Sequence, residues 1–183
     1  GPWVAKPISD AGGSGVIFGA GPLDTASLPD DLLVMQRAQG EMVDANGIFC
    51  DGSYIPAGSY VRHFVPDSAA HLCVHANPDL SSRYAPEVHS LLEEASRALG
   101  LIDGPVKIDA VKTSTGMLAL EIDARLHGPM GSLVALPGAG FSPLGALLSL
   151  SDPTNSSIRP FVDKKLTTYS VVMAVYVARE LLE

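Results

Sequence analysis

The 183-residue sequence predicts an α+β fold built mainly on antiparallel strands, with helices flanking the sheet. Three observations carry that reading. Short runs rich in β-branched and aromatic residues follow one another, punctuated by Asp-Gly, Ala-Gly and Asn-Pro. One stretch, Pro86 to Leu99, has apolar residues at helical spacing. Two later segments alternate charged with apolar residues, the period-two mark of strands whose faces differ.

Taken in order, Trp3-Val-Ala-Lys6 is a strand that runs into a glycine-rich turn, Asp10-Ala-Gly-Gly-Ser-Gly-Val16. Leu32-Leu-Val-Met35 is a second strand, between Pro29-Asp-Asp31 and the polar stretch from Gln36 to Glu41. A meander follows over Met42–Asp51, Tyr54–Phe64 and Ala70–Ala76, with turns at Asp51-Gly52, Ala57-Gly58 and Asn77-Pro78. In the helix, Val88, Leu91, Leu92, Ala95 and Leu99 form the apolar stripe, Pro86 suits the first turn and Gly100 the stop. Val106 to Thr113 and Leu118 to Leu126 are the charged strands, joined around Ser114-Thr115-Gly116 as a hairpin. Leu136 to Phe141 reads as a loop, and a helix runs from Ser142-Pro143 to Asp152-Pro153. Thr167 to Val177, rich in β-branched residues, closes the sheet.

The hairpin carries the chemistry. Alternation gives Glu121, Asp123, Arg125 and His127 one face, and Leu120, Ile122, Ala124 and Leu126 the other. Lys107 and Asp109 oppose Val106, Ile108 and Ala110 in the same way. A three-residue loop would set Asp109 across from Glu121 and Lys107 across from Asp123. Like charges facing across strands destabilise a sheet, so three converging carboxylates point to hard cations with oxygen ligands, and to magnesium and phosphate chemistry. The bland alternative is a solvated face with a Lys107–Asp123 surface pair worth ~0–1 kcal/mol. Gly12-Gly13-Ser14-Gly15, by itself an ordinary turn, lies just after Lys6; backbone N–H groups and an ammonium there suit a phosphate. It is not a Walker A loop, because Gly-Lys-Ser/Thr is absent. His127 reads as a positioning residue. His71 and His75 do not share a helical face and carry no zinc reading, and no serine sits in a nucleophile elbow.

Composition bounds the alternatives. Apolar residues make up 46% and charged ones 17%, which argues for a folded core over disorder. A net charge of −8 argues against a nucleic-acid partner, and no apolar run has the roughly 18 residues of a membrane span. Cys50 and Cys73 lie in apolar contexts and read as buried thiols of a cytoplasmic protein.

These residues, in this order, resemble the ATP-grasp superfamily of carboxylate–amine ligases. Val4-Ala-Lys6-Pro7 is similar to its phosphate-binding lysine strand, and Gly12-Gly13-Ser14-Gly15-Val16 to the glycine loop that closes over the triphosphate. Gln36, Arg37 and Ala38 fall where the family contacts adenine, and Glu41 where it holds the ribose. Lys107-Ile-Asp109 followed by Glu121-Ile-Asp123-Ala-Arg125-Leu-His-Gly128 resembles its carboxylate strand and Glu-Ile-Asn-x-Arg-x-x-Gly motif, with Asp123 in place of Asn. The resemblance implies ATP and Mg²⁺ or Mn²⁺ as cofactors, with Asp109, Glu121 and Asp123 on the metals and Arg125 and Lys107 as catalytic groups. It implies a small glycine-loop lid over residues 1–35 and a C-terminal subdomain over 36–183. The activity implied is carboxylate–amine ligation through an acyl phosphate. The run Arg125-Leu-His-Gly128 favours amino-acid substrates, and a homodimer is common in the family. Because relatives carry a preceding domain, the chain is expected to be the C-terminal portion of a ligase. The alternative is a non-catalytic nucleotide-binding or structural domain that needs a partner domain.

Overall fold

The computed structural model describes residues 1–9, 14–24, 26, 28–64, 71–76, 78–128, 130–138, 140–151 and 170–173. Among these, strands β1 (Pro2–Pro7), β2 (Ile17–Ala20) and β3 (Leu32–Gln36) form a three-stranded antiparallel sheet in the order β2-β1-β3. Strands β4 (Glu41–Cys50), β5 (Ser53–Phe64), β6 (His71–Ala76), β7 (Gly104–Lys112), β8 (Met117–Asp123) and β9 (Ser170–Met173) form a second sheet, ordered β8-β7-β4-β5-β6-β9. Helix α1 spans Pro78–Ala98. A π-helical segment, Met130–Ala135, runs into the single turn α2 (Leu136–Gly138), and α3 covers Pro143–Ser151. No described helix is long and apolar enough to cross a membrane.

The large sheet is covered on both faces. Val43, Ala45, Val61, Ile108 and Ala110 pack against Tyr84, Val88 and Leu92 of α1. On the other face Ile48, Tyr60 and Val74 pack against Ala135, Leu136, Phe141 and Ala146. Gly131 is forced by this second layer, because a Cβ there would lie 2.2 Å from Cζ of Tyr60. The tight β4–β5 turn at Asp51-Gly52 has positive φ at both residues, as a right-twisted hairpin requires.

Several expectations need correction. Helix α1 starts eight residues before Pro86, because Pro78 supplies the first-turn proline and Tyr84 extends the apolar stripe. Pro86 is exposed, so its missing N–H falls on the solvated side, and Leu99 lies beyond the helix, largely exposed. Ala57-Gly58 is no turn: the β4–β5 register shifts there, and Gly58 with φ +90° forms a bulge inside β5. Leu136–Gly138 is helical rather than loop, and β2 was not foreseen in so short and Gly-rich a run. Only Ser170–Met173 of the Thr167–Val177 strand falls within the described residues. The two cysteines are free thiols, Cys73 buried and Cys50 half-buried.

Leu92 is fully buried between α1 and the sheet. Truncation to alanine is expected to cost about 2–5 kcal/mol in urea unfolding; a loss well under 1 kcal/mol would contradict the packing of α1.

Candidate functional site

The carboxylate hairpin has the anticipated register, reached by another route. Lys107 pairs with Asp123 and Asp109 with Glu121, but the loop is one residue longer than three, and a bulge at Leu120 restores the pairing. The bulge leaves Leu118 and Leu120 solvent-exposed instead of on an apolar face, while Met117 and Ile122 reach the core. Strand β8 ends at Asp123, so alternation does not place Arg125 and His127. Arg125 is exposed and folds back on Asp123, Nη2 to Oδ2 2.7 Å. His127 returns over the sheet, where its backbone N–H donates to Oδ1 of Asn46 at 2.8 Å.

Lys107 gathers the three predicted carboxylates. Its Nζ is 3.1 Å from Asp109 Oδ1, 2.5 Å from Glu121 Oε1 and 3.0 Å from Asp123 Oδ2. The lysine side chain is 3% exposed, against 54% for Glu121 and 31% for Asp123, so the acids form the rim and the ammonium the floor. Burial acts against the charged lysine, and its bonds to the acids outweigh burial and raise its pKa. Burial likewise opposes the charge on Asp123, and the Lys107 hydrogen bond overcomes it, lowering that carboxyl.

Beneath this rim lies a layer that the sequence reading missed. Asp44 on β4 faces Asp109 directly across the strands, a costly like-charge pair. Arg62 of β5 bridges both: Nε is 2.7 Å from Asp44 Oδ2, Nη2 is 2.9 Å from Asp44 Oδ1, and Nη2 is 2.7 Å from Asp109 Oδ2. His127 Nε2 donates to Asp109 Oδ1 at 2.7 Å, and its ring meets Tyr60 edge-on. Burial opposes the charges of Arg62 and Asp109. Asp44 and Asp109 nevertheless hold the guanidinium above its ordinary value, and His127 and Arg62 hold Asp109 well below the usual carboxylate range. For fully buried Asp44, desolvation wins over Arg62 and pushes the carboxyl up to about 6. A signal did exist: Asp44 and Asn46 are polar positions at period two within the largely apolar strand β4.

The remaining predicted residues are dispersed. Lys6 is half-buried on β1, facing Leu33 of β3, and Ser14, Gly15 and Val16 lie in the turn before β2. Gly12 and Gly13 fall outside the described residues. Gln36 ends β3, exposed; Arg37 stacks over Phe18 at 4.4 Å and Ala38 is half-buried. Glu41 starts β4 and accepts a hydrogen bond from the Tyr84 hydroxyl of α1.

Two buried groups set opposing pH slopes. Between roughly pH 4 and 6, folded Asp44 keeps a proton that the unfolded chain has released, so this group lowers stability as pH rises. His89, bonded to Tyr54 and depressed by burial to about 4, acts in the other sense: up to about pH 6.5 the unfolded chain holds the extra proton. Asp109 contributes only below about pH 4. Asp44→Asn is therefore expected to steepen the rise in stability from pH 4 to pH 6 by on the order of 1–3 kcal/mol, read from urea unfolding. An unchanged slope would contradict the buried ionisation.

No protein-family model and no curated protein matches the sequence. Solved structures do match. The L-amino acid ligase from Bacillus licheniformis aligns with TM-score 0.64 at 16% identity, over 81% of this chain and 38% of that one. The biotin carboxylase domain of 2-oxoglutarate carboxylase from Hydrogenobacter thermophilus, solved with MgADP and bicarbonate, gives 0.62 at 13%, over 93% and 40%. An ATP-grasp superfamily protein from Archaeoglobus fulgidus gives 0.56 at 17%, over 80% and 44%. The chain spans about two fifths of the length of these structures. Identities this low speak for architecture alone, and on that ground the chain has the α+β ATP-grasp fold.

Proposed function

We propose that this chain is the nucleotide-binding portion of an ATP-dependent carboxylate–amine ligase. One observation carries the proposal: Asp109, Glu121 and Asp123 gather around the Lys107 ammonium on one face of an ATP-grasp sheet. Oxygen donors from adjacent strands fit a hard divalent cation, and Glu121 and Asp123 open towards solvent. Magnesium bound there would neutralise charge on the phosphates of ATP.

In the proposed reaction the terminal phosphoryl group passes to a substrate carboxylate. The amine then attacks the acyl carbon and phosphate leaves. Exposed Arg125 supplies a planar guanidinium to the charge that develops on the adduct, and Lys107 keeps the carboxylate rim ionised. Lys6 with the Gly12, Gly13, Ser14, Gly15 and Val16 backbone would hold the triphosphate, and Gln36, Arg37 and Ala38 the adenine. Glu41 would take the ribose through Oε1, since Oε2 is engaged by Tyr84. The ligase neighbour from Bacillus licheniformis supports amino acids as the substrate class. A homodimer is the proposed assembly.

A second reading is a non-catalytic domain, favoured by the same lysine. An ammonium already occupies the focus of the carboxylates, so the rim needs no metal to balance its charge. Two experiments separate the readings. Calorimetry with MgADP should give 1:1 heat in the wild type that Glu121→Gln abolishes while the circular dichroism stays unchanged. No heat at millimolar nucleotide would contradict the proposal. Lys107→Gln, which uncovers three acids, should lower the thermal midpoint without metal and recover it on adding Mg²⁺. Failure of Mg²⁺ to recover any stability would show that the rim cannot hold a divalent cation.

A further inference from the structure

On the α1 side of the large sheet, opposite the carboxylate rim, β5 and β6 bring together three soft or borderline ligands. His63 and Cys73 are direct cross-strand partners, and His75 follows Cys73 by two residues, so all three project from one face. His75 pairs with Val61, whose side chain packs under α1, which fixes that face as distinct from the Arg62 side. One ligand atom from each residue lies within 4.8 Å of the other two. Cys73 Sγ is 3.7 Å from His75 Nε2, and the two imidazole rings meet edge-on at 4.7 Å.

We propose that His63, Cys73 and His75 form a binding site for a borderline-soft divalent cation such as Zn²⁺. Tetrahedral zinc, with bonds of about 2.0–2.3 Å, separates its ligand atoms by roughly 3.3–3.6 Å. The Cys73–His75 pair already has nearly that spacing, and a His63 ligand atom lies within 4.8 Å of both. The ligand chemistry excludes magnesium and calcium, which take oxygen donors, and selects metals that accept thiolate with imidazole. Solvent reaches the cluster: His63 and His75 are half-exposed, and Val171, paired with His75 on β9, is 56% exposed. A solvent water would take the fourth tetrahedral position. The cation would bind with loss of the Cys73 thiol proton to solvent and would tie β5 to β6.

The test uses the whole 183-residue chain, stripped with chelator, kept reduced, and titrated with Co²⁺ as the probe. Expected are tetrahedral visible bands with a thiolate charge-transfer band in the near ultraviolet at 1:1 stoichiometry, bleached when Zn²⁺ displaces cobalt. Cys73→Ser should abolish the charge-transfer band, and His63→Gln should weaken Co²⁺ about tenfold or more. Cys50→Ser should change neither. His63→Gln, at a half-exposed position, gives the same reading if Cys73→Ser fails to fold. Absence of a thiolate band in the wild type, or a band that survives Cys73→Ser, would overturn the proposal. Neither outcome depends on whether nucleotide binds the opposite face.

Discussion

The guanidinium of Arg62 is the interaction on which the charged face depends. Strand pairing sets the carboxylates of Asp44 and Asp109 directly opposite each other, with Asp44 fully buried. Neither acid could stay ionised there without a cation between them. Arg62 meets Asp44 through two nitrogens and reaches Asp109 through the same Nη2, so three adjacent strands are joined by one planar group. Removing one partner of such a pair typically costs about 3–5 kcal/mol, because the other is left buried and uncompensated. Asp109 then serves two layers at once, accepting from Arg62 and His127 below and from Lys107 above.

That two-layer arrangement divides labour. The lower layer is largely buried and cross-linked: Arg62 is also packed over Phe64, and His127 is held through Asn46 and Tyr60. The upper layer is open, since Glu121 and Arg125 are more than half exposed. A rim of ionised acids and one arginine, preorganised by a buried network, suits a ligand that carries both metal and phosphate. The opposite face of the same sheet carries α1 over β4, β5 and β7, with the His63–Cys73–His75 cluster at its β5–β6 end, so the two proposed sites do not compete for space.

Much of this was legible in the sequence because strand alternation is a strict rule. Lys107, Asp109, Glu121 and Asp123 were grouped correctly, and the meander was located to within a residue or two. Alternation failed where the chain stopped being regular. The Leu120 bulge exchanged the expected apolar face, and the end of β8 at Asp123 released His127 to fold back on Asn46. Asp44 and Arg62 were missed for a different reason. A charged residue in an apolar run looks like a solvated position until its cross-strand partners are known, and Arg62 and Asp109 lie 18 and 65 residues beyond Asp44 in the chain. His63, Cys73 and His75 do not stand out in the sequence, because a hairpin register rather than chain spacing brings His63 to the other two.

A magnesium nucleotide seated on the rim of Asp109, Glu121, Asp123 and Arg125 is the proposal from which the other assigned roles follow. Chemical-shift mapping of the isotope-labelled chain during titration with MgADP tests it most directly. The largest amide shifts are expected at Asp109, Glu121, Arg125 and His127, with Val88 and Leu92 on the far side of the sheet unmoved. Saturating shifts centred on α1, or none on the rim, would contradict it.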